Sequence, residues 1–201
     1  MESASPRRIA PLAASNSGEE AVVWTDEEAA EVVEACKSGD PLAQRRLYDA
    51  SQKNVYRLVV RMVGLQDAAD VTQQVFLQAF RKIGQFSGRS QFGTWIYRVA
   101  VNESLQHLRK VKRSRMQLLE QEPMDSAPSG HASIEDQEVL ERALAQLEPD
   151  LRSIFLLREI DGLSYDAIAD VLEIPAGTVG SRLNRARREL KQYLTELGWE
   201  P

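Results

Sequence analysis

Thr178, Ser181, Arg182, Asn184, Arg185 and Arg188 are spaced to share the outward side of one helix, with Val179, Leu183, Ala186, Leu190 and Leu194 forming its apolar side. Hydroxyls, an amide and guanidiniums in such a row can donate to base edges and phosphates, so the row fits recognition of a polyanion, the alternative being the solvated face of a generic helical hairpin. A second candidate set lies in Phe86 to Arg115, FSGRSQFGTWIYRVAVNESLQHLRKVKRSR. There Phe92, Trp95, Ile96, Val99, Leu105 and Leu108 recur near helical spacing and leave Arg98, Asn102 and Arg109 for other faces. On its own this stretch reads equally as a solvated amphipathic helix with an aromatic anchor or as a helix with a working surface. Bond-making chemistry has no foothold, because no triad, metal cluster or phosphate-binding loop is present. Cys36 is the 1 cysteine and His107 and His131 are the 2 histidines, which excludes an internal disulfide and a His/Cys metal site.

The elements that must position these residues are helical throughout. The row at 178–188 sits in LSYDAIADVLEIPAGTVGSRLNRARREL, where Ser164 can cap a short helix bearing Tyr165, Ile168, Ala169, Val171 and Leu172. Glu173, Ile174 and Pro175 make a tight turn, and a longer helix follows from Ala176, which is helix-turn-helix spacing. Ala169 supplies the small residue needed at the helix crossing, and Ile174 and Val179 fill the wedge. Upstream, Thr25 followed by Asp26, Glu27 and Glu28 reads as a helix start, Pro41 to Met62 as a second helix closed by Gly64, and Asp67 to Ile83 as a third. Ile134 to Leu147 and Pro149 to Ile160 read as a helical pair. Residues 1–25 lack periodicity and are expected to form a disordered extension. The stretch 116–133, with Pro123, Pro128 and Gly130, reads as a linker. The expected fold is all-α, with two small helical domains at 26–115 and 134–197 joined by a flexible linker.

Charge is segregated more than its net of -5 implies. Arg81, Lys82, Arg89, Arg98, Arg109, Lys110, Lys112, Arg113 and Arg115 stand against Glu103 alone between Leu77 and Arg115, and Arg182, Arg185, Arg187, Arg188 and Lys191 form a second basic island. Acids dominate between them. Two basic islands on separate bodies fit two contacts with one long polyanion. Apolar runs fall far short of the roughly 20 residues a membrane span needs, and no convincing signal peptide is seen, so a cytoplasmic location without membrane insertion is expected. Cys36, among Ala and Val, reads as a buried, unreactive thiol.

With these residues in view, the chain resembles the extracytoplasmic-function branch of bacterial RNA polymerase sigma factors from Thr25 to Leu197. DAADVTQQVFLQAFRKI, FSGRSQFGTWIYRVAVN and LSYDAIADVLEIPAGTVGSRLNRARREL follow that family in order and spacing. The resemblance implies a non-enzymatic initiation factor without a cofactor. Its N-terminal domain would bind polymerase core and open the −10 element, and its C-terminal domain would read the −35 element. The helix from Asp67 would meet the clamp coiled coil of the largest polymerase subunit through Asp67, Asp70, Gln73, Gln74 and Phe76, and the flap is a further implied core contact. Lys82, Phe86 and Asn102 would line a pocket for an extruded base, with Gly88, Arg89 and Ser90 shaping the loop and Arg98 and Arg109 near phosphates. Arg158, Thr178, Ser181, Arg182, Asn184 and Arg185 would contact the −35 duplex. An anti-sigma factor is an implied partner.

The sequence departs from the family pattern at particular points. Ala69 and Gln74 stand where acids are common, Gln106 replaces an Asp, Gly180 replaces a basic residue, and Glu173 occupies a turn position usually held by Gly. Trp95, on the apolar stripe, is expected to pack rather than stack on a base. The rival reading is a stand-alone helix-turn-helix regulator whose N-terminal half serves dimerisation or ligand binding; the block from Asp67 to Asn102 separates the two.

Overall fold

Asp40 accepts a hydrogen bond from the Leu42 N–H at 2.8 Å and Pro41 fills the first helical position, so the chain turns sharply out of helix α1 (Asp26–Lys37) into helix α2 (Pro41–Val63). Gly64, at φ +90, ends α2 with its N–H on the Val60 carbonyl and starts helix α3 (Leu65–Lys82), two residues earlier than Asp67. A single tight turn (Ile83–Gln85) leads to helix α4 (Phe92–Leu119). These elements come from a computed structural model that describes residues 26–88, 90–119 and 136–199. The expected extension at 1–25, the Thr25 cap, Arg89 and the stretch 120–135 lie outside the described residues. Helix α4 runs on through Met116 to Leu119, into the stretch read as linker. Nothing in that short segment breaks a helix, the first Pro being Pro123.

The second set comprises α5 (Asp136–Gln146), α6 (Pro149–Phe155), α7 (Tyr165–Leu172) and α8 (Ala176–Glu196). Helix α6 widens into one π-type turn at Leu156–Ile160, in which the Asp161 N–H reaches back to the Leu156 carbonyl at 3.1 Å. That turn aims Asp161 at α4. Among the described residues there is no strand.

The two sets share one buried apolar cluster. Val55, Leu58 and Met62 of α2, Val75 of α3 and Ile96 and Ala100 of α4 continue into Leu144, Ile154, Leu157, Ile168 and Leu190. Helix α7 lies along α4, and α5 and α6 lie against the C-terminal half of α2. Polar contacts cross the same seam. Tyr97 O–H donates to Asp161 Oδ1 at 3.0 Å, and the buried Arg152 donates through Nη1 to the Met62 carbonyl at 2.6 Å. A smaller cluster joins Val32, Val33 and Cys36 of α1 to Leu47, Ile83 and Phe86. Burial, with Asp40 adding to it, pushes the Cys36 thiol up from its ordinary value and keeps it inert.

Candidate nucleic-acid interface

Helix α8 owes its orientation to Val179, Leu183 and Ala186, all fully buried against α6 and α7. Ser164 Oγ accepts from the Ala167 N–H at 3.2 Å and caps α7, as its spacing predicts. Ala169 is buried where α7 meets its neighbours. Ser181, Asn184, Arg185 and Arg188 are consequently exposed, with Thr178 and Arg182 half-buried at the edge of the same face. Ser181 Oγ donates to the Thr178 carbonyl at 2.9 Å, and Arg185 Nε donates to Glu189 at 2.7 Å, so these side chains rest on their own helix. Arg158 is held differently. Its Nη1 donates to the Leu163 carbonyl at 2.7 Å and its guanidinium lies 5.3 Å from the Tyr165 ring centre. A Cβ at Gly180 would sit 3.6 Å from Cε2 of Tyr165, ordinary van der Waals contact, so a side chain fits there.

On the other set, Phe86 is buried and forms a three-ring cluster with Phe92 and Trp95, at centroid separations of 6.0 and 5.6 Å. A cleft of about 360 Å³ opens beside it, lined by Phe86, Gly88, Ser90, Gln91 and Phe92 and walled by Ala29, Ala30 and Val33 of α1. Gly88, at φ +72, bends the loop in a way other residues resist. Neither Lys82 nor Asn102 lines this cleft; both are exposed, Lys82 at the end of α3 and Asn102 about 15 Å further along α4 than Phe92. Periodicity marked α1 as structural, and nothing in its sequence signals that it walls the cleft. Arg98 is half-buried, facing the α7–α8 turn, and its Nη1 is 3.7 Å from Glu173 Oε1. Arg109 is exposed.

Asp70, Gln73 and Gln74 are exposed on α3, and Leu77 is 43% exposed beside them. This ridge divides two concave surfaces. One, of about 340 Å³, lies between α2 and α3, with the aromatic rings of Tyr48, Tyr56, Phe76 and Phe80 and the side chain of Leu77 in its lining. Phe76 is 4% exposed and packs at 4.6 Å on the Tyr48 ring, so it forms the floor of that groove. The other, of about 680 Å³, runs between α3 and α4 and brings Asp70 and Gln74 to the same surface as Arg109, Lys110 and Arg113. Asp67 turns toward α4, 2.9 Å from His107 Nε2. Sequence reading missed Tyr48 and Tyr56, whose alternation with polar residues on α2 gives no sign that α3 leaves them uncovered.

Comparison with known proteins agrees with this geometry. Residues 47–114 match the family model for Sigma-70 region 2 and residues 137–190 that for Sigma-70, region 4. The chain is 37% identical over 195 residues to the RNA polymerase sigma-H factor of Pseudomonas aeruginosa, covering 86% of this chain and 97% of that protein. It is 36% identical over 179 residues to the ECF RNA polymerase sigma-E factor of Escherichia coli, covering 83% and 94%. Among solved structures, CnrH in complex with the cytosolic domain of CnrY shares the fold, with a TM-score of 0.63 at 21% identity over 84% of this chain and 97% of that one. RpoE of Bartonella quintana, solved with the anti-sigma factor NepR, gives 0.61 at 23% identity over 75% and 96%. The chain belongs to the extracytoplasmic-function RNA polymerase sigma factors. It is a transcription initiation factor of the sigma class, all-α in architecture.

Proposed function

We propose that residues 26–115 dock on RNA polymerase core and open the −10 element, that 134–197 read the −35 duplex, and that 116–133 tether the two. The observation that carries this reading is the outward face of α8, where Ser181, Asn184 and Arg185 stand exposed on a helix fixed by buried Val179, Leu183 and Ala186. Thr178, Arg182 and Arg158 complete the −35 surface. On α3, Asp70, Gln73 and Gln74 offer the polar part of the core interface, and the groove floored by Phe76 offers an apolar seat for a coiled-coil side chain. Asp67 contributes indirectly by fixing His107. Ala69 and Gln74, where the family often has acids, leave this docking to rely more on apolar contact.

Strand opening costs a few kcal/mol per extruded base, which a pocket and nearby cations offset. The cleft beside Phe86, Gly88 and Ser90 receives the base, Arg89 stands between Gly88 and Ser90 in the sequence, and Lys82, Asn102, Arg98 and Arg109 hold the separated strand along α3 and α4. The chain acts by binding, not by catalysis, and works in the cytoplasm; no helix among the described residues is long and apolar enough to cross a membrane. An anti-sigma factor is part of the same reading, supported by the fold shared with two chains solved in complexes. Transcription from genomic templates with purified core polymerase tests the whole: promoter-dependent initiation is expected, and none on any template refutes it.

A further inference from the structure

We infer that Glu173 latches the free chain in a closed, autoinhibited form by pairing with Arg98, a cation that the promoter strand must claim; this rests on the −10 role proposed for Arg98. Promoter elements centred near −10 and −35 are about 25 base pairs apart, or about 85 Å at roughly 3.4 Å per step. In this structure the turn preceding α8 lies directly on α4, with Glu173 Oε1 3.7 Å from Arg98 Nη1. The helix reading one element therefore starts beside the helix proposed to open the other. The two sets must part before both can engage one promoter.

Glu173 is singled out by its backbone as well as its side chain. It adopts φ 53, ψ 43, the left-handed conformation, and among the described residues it is the only non-glycine with positive φ. The turn keeps a residue that strains it, where a glycine would sit without strain. What this residue adds is a carboxylate on the opposing set. Arg98 Nε is buried and donates to none of the described residues, and the ion pair that its half-buried guanidinium makes with the described residues is the one with Glu173 across the seam. Glu173 thus occupies the electrostatic role of a phosphate. The Tyr97–Asp161 and Arg152–Met62 hydrogen bonds hold the same seam but use no residue proposed to touch DNA. The latch is the part of the seam for which DNA competes.

Amide exchange on α4 under α7 reports the ratio of open to closed chain. In the free full-length protein Glu173→Gly, which suits the left-handed turn and folds without strain, is expected to raise that ratio about twofold to fivefold, the range of an exposed ion pair. Glu173→Arg, facing Arg98, raises it further, and the exchanged pair Arg98→Glu with Glu173→Arg returns protection toward the starting value. Unchanged protection in Glu173→Gly, or an exchanged pair no better protected than the single variants, overturns the latch. Initiation by the unaltered chain with core polymerase is scored separately. Its absence removes the sigma reading of Arg98, while the exchange measurements still decide whether Glu173 holds the seam.

Discussion

Replacing Arg152 by Met should remove a buried tie between the two helical sets and destabilise the chain by about 2–4 kcal/mol. The guanidinium donates to the carbonyls of Met62 and Ala145 at 2.6 Å each and of Leu147 at 3.2 Å. The Ala145 and Leu147 carbonyls close the end of α5, and that of Met62 closes α2, where the helix dipole concentrates negative charge. Hydrogen bonds from a charged donor contribute roughly 1.5–3 kcal/mol each, so the two short ones and the longer one together contribute about 4.5–9 kcal/mol. Burial offsets several kcal/mol of that: it lowers the Arg152 pKa from its ordinary value, and Nε donates to none of the described residues. Met fills most of the vacated volume, which leaves the unpaired carbonyls as the main loss. Arg152→Lys, with a single point of donation, should lose about half as much. Urea unfolding of the full chain measures both. A loss below about 0.5 kcal/mol for Arg152→Met would refute the reasoning, because the carbonyls would then find equivalent partners without it.

Asn102→Ala should leave core binding intact and abolish open-complex formation, scored by permanganate reactivity of the −10 strand; undiminished reactivity removes Asn102 from the working face. Gly180→Arg should stabilise α8 by about 0.5–1 kcal/mol and steepen the salt dependence of −35 duplex binding by about one ion, since the site admits a side chain. An unchanged salt slope would mean that position 180 faces no phosphate. Leu77→Glu should weaken binding to core polymerase by about 1–2 kcal/mol with little effect on the urea midpoint, because Leu77 is 43% exposed on the groove rim. The Asp161 carboxyl is raised from its ordinary value of 3.8 chiefly by burial, against the Tyr97 hydrogen bond and the nearby Arg57 and Arg61. The folded chain therefore holds that proton more tightly, so its stabilising contribution is complete below 3.8 and is lost as pH rises through the raised value. Asp161→Asn should flatten that part of the pH–stability curve, and parallel curves for the two proteins would contradict the assignment.

The local elements were legible because each carries its own signal. The Pro41 start of α2, the Gly64 stop, the Ser164 cap and the apolar spacing of α8 are decided within a few residues by capping and periodicity, and the structure follows them. The donor row on α8 was legible for the same reason, since burying Val179, Leu183 and Ala186 leaves Ser181, Asn184 and Arg185 no other direction. Cleft and groove walls were not. Ala29, Ala30 and Val33, and Tyr48 and Tyr56, look like ordinary helix surface until the packing of α1 on the loop and of α2 on α3 leaves them beside a gap.

The seam between the two sets was illegible for a different reason, and that reason bears on how it works. A core residue announces itself by being apolar, whereas Tyr97, Arg98, Arg152, Asp161 and Glu173 are residues that any solvated helix carries. Their pairing depends on the π-type turn that aims Asp161 at α4 and on the left-handed turn that presents Glu173 to Arg98. The partly exposed Arg98–Glu173 pair suits a surface that must also face water, because each of its groups exchanges its partner for solvent at small net cost. The rest of the seam is the shared apolar cluster, which opening would expose to water. In the proposed closed form, the Arg98–Glu173 pair is the part of the seam that a polyanion would displace, while Leu144, Ile154 and Ile168 pack in the apolar cluster shared by both sets.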